Sequence, residues 1–163
     1  MATAQRNLSS HGPETIPDAQ HMKFGLVVSD WNVEITQAMC DSAIETLIRH
    51  GAGNDNIVVR HVPGSFELTL GAKWLAESDE FDAIICIGCV IQGETRHFEF
   101  ICQAVAQGIM QLNLACGIPV VFGVLTTNTI EQARDRSGGK HGNKGDEAAV
   151  TAIKMAALKK EIE

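Results

Sequence analysis

From Met22 onward the apolar positions change period from one stretch to the next, and each change marks an element. Lys23 to Ser29 is a short apolar run of strand length, and Asn56 to Val62 is a second. Between them Ile35, Met39, Ala43 and Leu47 recur on one face with Ile44 and Ile48 beside them. That is the 3.6-residue period of a helix lying on a sheet, and it predicts a helix from about Glu34 to His50. A helix over Phe66 to Ser78 follows, then a strand over Ala83 to Ile91 in which every residue but Gly88 is apolar. Such an unbroken apolar run suits a strand covered on both faces. The pattern continues with a helix from Thr95 to Ala115, a strand from Pro119 to Leu125, a short helix from Ile130 to Arg136 and a last helix from Gly145 to about Lys160. Strands alternating with helices through right-handed crossovers give a parallel sheet with helices on both faces. The predicted fold is an α/β, three-layer α/β/α sandwich with a flavodoxin-like four-stranded sheet in the order 2-1-3-4.

Residues 1–21 break this pattern with Ser9, Ser10, Gly12, Pro13 and Pro17, and read as a polar tail or an arm that orders against a partner. Residues 22–163 then form a single domain, a size that one core can stabilise. A formal charge of −7, with basic residues clustered only between Arg134 and Lys144, argues against nucleic acid and against acidic membrane surfaces. No apolar run approaches the roughly 18 residues of a membrane span, and the amino terminus lacks the charged and apolar regions of a secretory signal. The expected location is cytoplasmic. Five cysteines, Cys40, Cys86, Cys89, Cys102 and Cys116, are an odd number scattered through apolar segments, and they read as reduced packing residues. Cys86 and Cys89 form a CxxC, but inside a strand, where no helix N-terminus lowers a thiol pKa. With no second CxxC and no His pair at ligand spacing, no structural metal site is expected.

In open parallel sheets, ligands bind outside the carboxyl ends of the strands, so the loops that matter can be named. They are Ser29-Asp30-Trp31-Asn32, Pro63-Gly64-Ser65-Phe66-Glu67, Gln92-Gly93-Glu94-Thr95-Arg96-His97 and Thr126-Thr127-Asn128. Aromatic residues make up only 5% of the chain, so Trp31 and Phe66 on one rim suggest a planar ligand stacked on a ring. Gly93, Glu94 and Thr95 are expected to open a helix, whose free N–H groups would receive a phosphate or carboxylate. His97, one turn on, would supply a proton-transfer group near neutrality.

Read in order, SDWN at 29–32, VPGSFE at 62–67, IGCVIQGETRHFEF at 87–100, PVVFGVLTTNTIEQARDRSGG at 119–139 and KHGNKGDEAA at 140–149 resemble the lumazine synthase family. The resemblance runs from about Met22 to Lys160. It implies condensation of 5-amino-6-ribitylamino-uracil with 3,4-dihydroxy-2-butanone 4-phosphate to 6,7-dimethyl-8-ribityllumazine, phosphate and water, the penultimate step of riboflavin biosynthesis, with no metal or organic cofactor. By motif, Trp31 would stack on the pyrimidine with Asn32 beside it. Gly64, Ser65, Phe66 and Glu67 would hold the ribityl chain, and Val90 and Ile91 would meet the uracil edge. Gly93, Glu94 and Thr95 would receive the phosphate, with His97 as the proton-transfer residue. Arg136 would bind phosphate, and Lys144 and Phe122 would complete the site. The resemblance implies that these last three reach into a neighbouring subunit's site. The partners it implies are the two small substrates, further copies of the chain in a pentamer or a 60-subunit shell, and riboflavin synthase.

Trp31 stands where the family commonly has Phe, Ser65 where it has Ala, Gln92 where it has a basic residue and Arg96 where it has Pro. Three other readings compete. A flavodoxin-type flavin carrier needs a glycine-bearing phosphate loop after the first strand, and Ser29 to Thr36 contains no glycine. A receiver-type signalling domain needs an Asp at the end of the third strand, where this chain has Cys89, Val90 and Ile91. A lumazine-holding or shell-forming homologue without activity would not need His97, Arg136 and Lys144.

Overall fold

All six residues of β1 (Phe24–Ser29) are buried, as are Ala83 through Cys89 of β3 (Ala83–Ile91). Two strands apolar on both faces can only lie in the middle of a covered sheet, and the computed structural model, which describes residues 16–78 and 80–163, places them there. The parallel sheet has the order β2-β1-β3-β4, with β2 (Ile57–Val62) and β4 (Val120–Thr127) at its edges. Register follows from the buried faces: Phe24 pairs with both Ile57 and Ala83, and Cys86 with Phe122.

One face is covered by α1 (Val33–Arg49) and α5 (Lys144–Ile162), where Leu26, Ile35, Met39, Ile85, Ile87 and Ile153 form the larger core. The other carries α2 (Leu68–Ser78) and α3 (His97–Cys116), packed through Val27, Leu68, Ile84, Val105 and Ile109. α1 and α5 touch so closely that a Cβ on Gly145 would lie 1.8 Å from the Met39 carbonyl oxygen. Asn143 fixes that approach, because its Oδ1 accepts the Gly145 N–H at 2.8 Å while its Nδ2 donates to the Ala38 carbonyl at 3.0 Å.

The strand and helix order agrees with the sequence pattern, and the differences lie at element ends. β4 runs to Thr127 rather than Leu125, since Val90 and Ile91 pair with Thr126 and Thr127 after the apolar run has stopped. α3 begins at His97, not Thr95: the Thr95 hydroxyl accepts the His97 N–H at 3.4 Å, and the Arg96 carbonyl takes the Glu99 N–H at 3.1 Å. Gly93 to Thr95 therefore form the turn before the helix, a correction to their expected place in its first turn. α4 (Ile130–Arg134) stops before Arg136, and a hairpin of β5 (Ser137–Gly139) and β6 (Gly142–Asn143) follows. Its glycines 138 and 142 take positive φ, a backbone conformation that carries no periodicity to read. The described packing also starts earlier than Met22. Ala19 is fully buried, and its N–H donates to the His50 carbonyl at 2.8 Å, which ties residues 16–21 to the end of α1. The rest of the expected tail, residues 1–15, lies outside the described residues. No described helix is long and apolar enough to cross a membrane.

Candidate functional site

The carboxyl ends of β1, β2 and β3 open into a cleft of about 780 Å³. Three loops build it. After β1, Trp31 stands 71% exposed at its mouth. After β2, Gly64 leads into a single 3₁₀ turn, Ser65–Glu67, whose Phe66 and Glu67 side chains are exposed to the cleft. That turn lies directly on β3, because a Cβ on Gly88 would come within 2.7 Å of the Ser65 Oγ and 2.8 Å of a Leu68 methyl. The Ser65 hydroxyl is buried and has no hydrogen-bond partner among the described residues. After β3, Val90 and Ile91 form one wall, and Gly93, Thr95 and His97 close the end.

Phe98, Phe100 and Ile101 on the first turns of α3 also line the cleft. The sequence reading missed them because an apolar residue in the first turns of a helix carries no sign of facing a cleft rather than the core. Asn32 and Glu94 do not line it. Asn32 sits beside it with its Nδ2 donating to the Cys89 carbonyl at 2.9 Å, and Glu94 is exposed in the turn before α3. Gln92 is turned onto its own loop, donating from Nε2 to the Gly93 carbonyl at 2.7 Å. Arg96 pairs with Glu99 at 3.0 Å.

The remaining three candidates lie elsewhere. Phe122 and Lys144 line a second groove, of about 380 Å³, along the outer edge of β4 between α3 and α5. There the Lys144 Nζ meets the Glu147 carboxylate at 2.8 Å, with Glu147 only 8% exposed. Glu147 was not anticipated, although its place three residues after Lys144 on a helix is a readable pairing signal. Arg136 lines neither cavity. Its Nη1 donates to the Gln132 carbonyl at 3.1 Å, while its own carbonyl accepts the Lys144 N–H at 2.8 Å. Arg134, two residues earlier, is held by both carboxylate oxygens of Glu34 at 2.7 and 3.0 Å. The hydrogen bond holds Glu34 below the usual carboxylate range and raises Arg134. Of these two arginines, Arg136 is the one not bound to a carboxylate.

Burial pushes the Cys86 thiol up to about 12 and those of Cys40 and Cys89 up to about 11. A redox CxxC requires the opposite shift, so Cys86 and Cys89 are packing residues.

Residues 21–160 match the family model of 6,7-dimethyl-8-ribityllumazine synthase, which spans all three loops of the cleft, the β4 groove and Arg136. The chain belongs to the lumazine synthase family. It is 55% identical to the 6,7-dimethyl-8-ribityllumazine synthase of Porphyromonas gingivalis over 98% of this chain and 99% of that one. To the synthase of Cytophaga hutchinsonii it is 58% identical over 96% and 98% of the two chains. The synthase of Parabacteroides distasonis is 56% identical over 95% and 97%. As a lumazine synthase family member, the chain is a transferase of riboflavin biosynthesis. The flavin-carrier and receiver readings fall away with that membership.

Proposed function

We propose that the cleft binds 5-amino-6-ribitylamino-uracil and joins it to 3,4-dihydroxy-2-butanone 4-phosphate, releasing phosphate, water and 6,7-dimethyl-8-ribityllumazine. The observation that carries this is the single cleft in which Trp31, the Ser65–Glu67 turn, the Val90–Ile91 strand end and His97 meet. Trp31 stacks on the pyrimidine, whose polar edge meets the backbone of Val90 and Ile91. Glu67 accepts hydrogen bonds from the ribityl hydroxyls. The phosphate lies at the turn of Gly93 and Thr95, and Glu94 borders it from outside the cleft.

The amine of the pyrimidine attacks the ketone and loses water to form an imine. Phosphate is then eliminated, and the second amine closes the ring with loss of a further water. Each step moves a proton, and His97 is the imidazole in the cleft that shuttles it. Because amine and ketone combine readily, holding the two reactants together supplies most of the acceleration.

Phe122, Lys144 and Arg136 lie outside this cleft, on or near the open edge of β4. They complete the site only if a second copy brings its own β4 edge to the cleft, so the working enzyme is a homo-oligomer, a pentamer or a shell of pentamers. Riboflavin synthase, which consumes the product, and a cytoplasmic location belong to the same reading.

The test mixes the protein with both substrates and follows the appearance of lumazine fluorescence. The native chain should exceed the uncatalysed rate clearly, and His97→Ala should slow turnover about 100-fold without abolishing it. Arg136→Ala should weaken the phosphate substrate far more than the pyrimidine. No acceleration by the native chain, with lumazine still bound, would replace the synthase by a binding homologue.

A further inference from the structure

Trp31 is 71% exposed, so little side-chain packing fixes its ring; the backbone on either side must do so. On one side, Asp30 is held by its N–H to the Val62 carbonyl at 2.8 Å and by a 2.9 Å contact with His61. That contact is about half exposed at both partners, so solvent competes for it and it contributes little. On the other side stands Asn32, the one non-glycine residue with positive φ among those described, at φ 60 and ψ 47. An asparagine at a helix start ordinarily turns its side chain onto its own helix. Here only the Asn32 backbone serves α1, its carbonyl accepting the N–H groups of Ile35 at 2.9 Å and Thr36 at 3.1 Å. The side chain instead spans to β3. Nδ2 donates at 2.9 Å to Cys89, two residues beyond Ile87, where the β1–β3 ladder ends.

Cys89 is followed at once by Val90 and Ile91, so one amide sets the separation between the Trp31 loop and the opposite wall of the cleft. We propose that Asn32 is a positioning residue for ring stacking. It acts through Trp31 and the width of the slot rather than by touching the substrate. This rests on the stacking role given to Trp31 above.

The test is a double-mutant cycle on the binding of 6,7-dimethyl-8-ribityllumazine, measured calorimetrically. Asn32→Gly keeps the left-handed backbone free of strain and removes the side chain that carries the amide. Asn32→Asp keeps the shape but sets an acceptor against the Cys89 carbonyl. Each should weaken binding about tenfold, with acrylamide quenching of Trp31 rising in a Trp74→Phe background, where Trp31 is the only tryptophan. In a Trp31→Ala background the same Asn32→Gly change should cost less than twofold, since the residue it positions is gone. An equal loss in both backgrounds, or no loss in either Asn32 variant, overturns the positioning role and leaves the stacking role standing. Unaltered binding by Trp31→Ala overturns the stacking role, and this inference with it.

Discussion

Gly88 has no chemistry, yet the proposed ribityl subsite depends on it. The Ser65–Glu67 turn can rest on β3 only because β3 presents no side chain at that point. A Cβ there would stand 2.7 Å from the Ser65 Oγ and 2.8 Å from the Leu68 Cδ1, up to about 0.7 Å short of the 3.4 Å at which ordinary contact begins. Leu68 is fully buried, so it cannot swing into solvent, and the whole turn must lift. Overpacking of this kind costs about 2 kcal/mol, which lowers the melting temperature by about 4–8 °C in a domain of this size. The same lift displaces Phe66 and Glu67 in the cleft where the proposed ribityl contacts lie, and a misplacement approaching 1 Å in a positioned group costs up to about 100-fold in rate. Gly88→Ala should therefore lower the thermal midpoint. It should also raise the KM for the ribityl pyrimidine at least tenfold, with a smaller effect on the phosphate substrate. Thermal melts and steady-state kinetics with each substrate varied in turn would measure both. A variant that melts as the native protein does, with both KM values unchanged, would refute the claim that this close approach shapes the site.

Ser65→Ala removes a buried hydroxyl that has no hydrogen-bond partner among the described residues, so the free protein should gain about 1 kcal/mol and melt higher. Affinity for ribityllumazine should fall in the same variant; a lower melting temperature would show that the hydroxyl is already satisfied. Gly145→Ala puts a Cβ 1.8 Å from a backbone oxygen that no rotamer change can move, so α1 and α5 must part. A loss of about 3 kcal/mol or more is expected in denaturant melts, with activity falling as Lys144 shifts. Cys40, Cys86 and Cys89, with thiol pKa values pushed up to about 11, 12 and 11, hold almost no thiolate at pH 8. A thiol-disulfide reagent should leave these three unmodified in the native protein, and labelling should reach all five cysteines only on unfolding. Rapid labelling of Cys86 in the folded state would contradict its burial.

Much of this protein could be read from its chain because its signals are local or periodic. The run Ala83 to Ile91 had to be a central strand, and the spacing of Ile35, Met39, Ala43 and Leu47 had to be a helix on a sheet. The rule that ligands gather at the carboxyl ends of parallel strands then led from strand order to the loops of Trp31, Ser65–Glu67 and His97, while Val90 and Ile91 entered only through the family resemblance. Sequence could not show that Arg134 is held by Glu34, a residue 100 positions away, while Arg136 is not. Nor could it show that the Asn32 amide belongs to Cys89, or that Gly88 makes room for Ser65. Those facts depend on which backbone passes which, and on differences of tenths of an ångström in how closely. Periodicity decides which face of an element is buried; only the packed fold decides what each polar group, and each missing side chain, meets there.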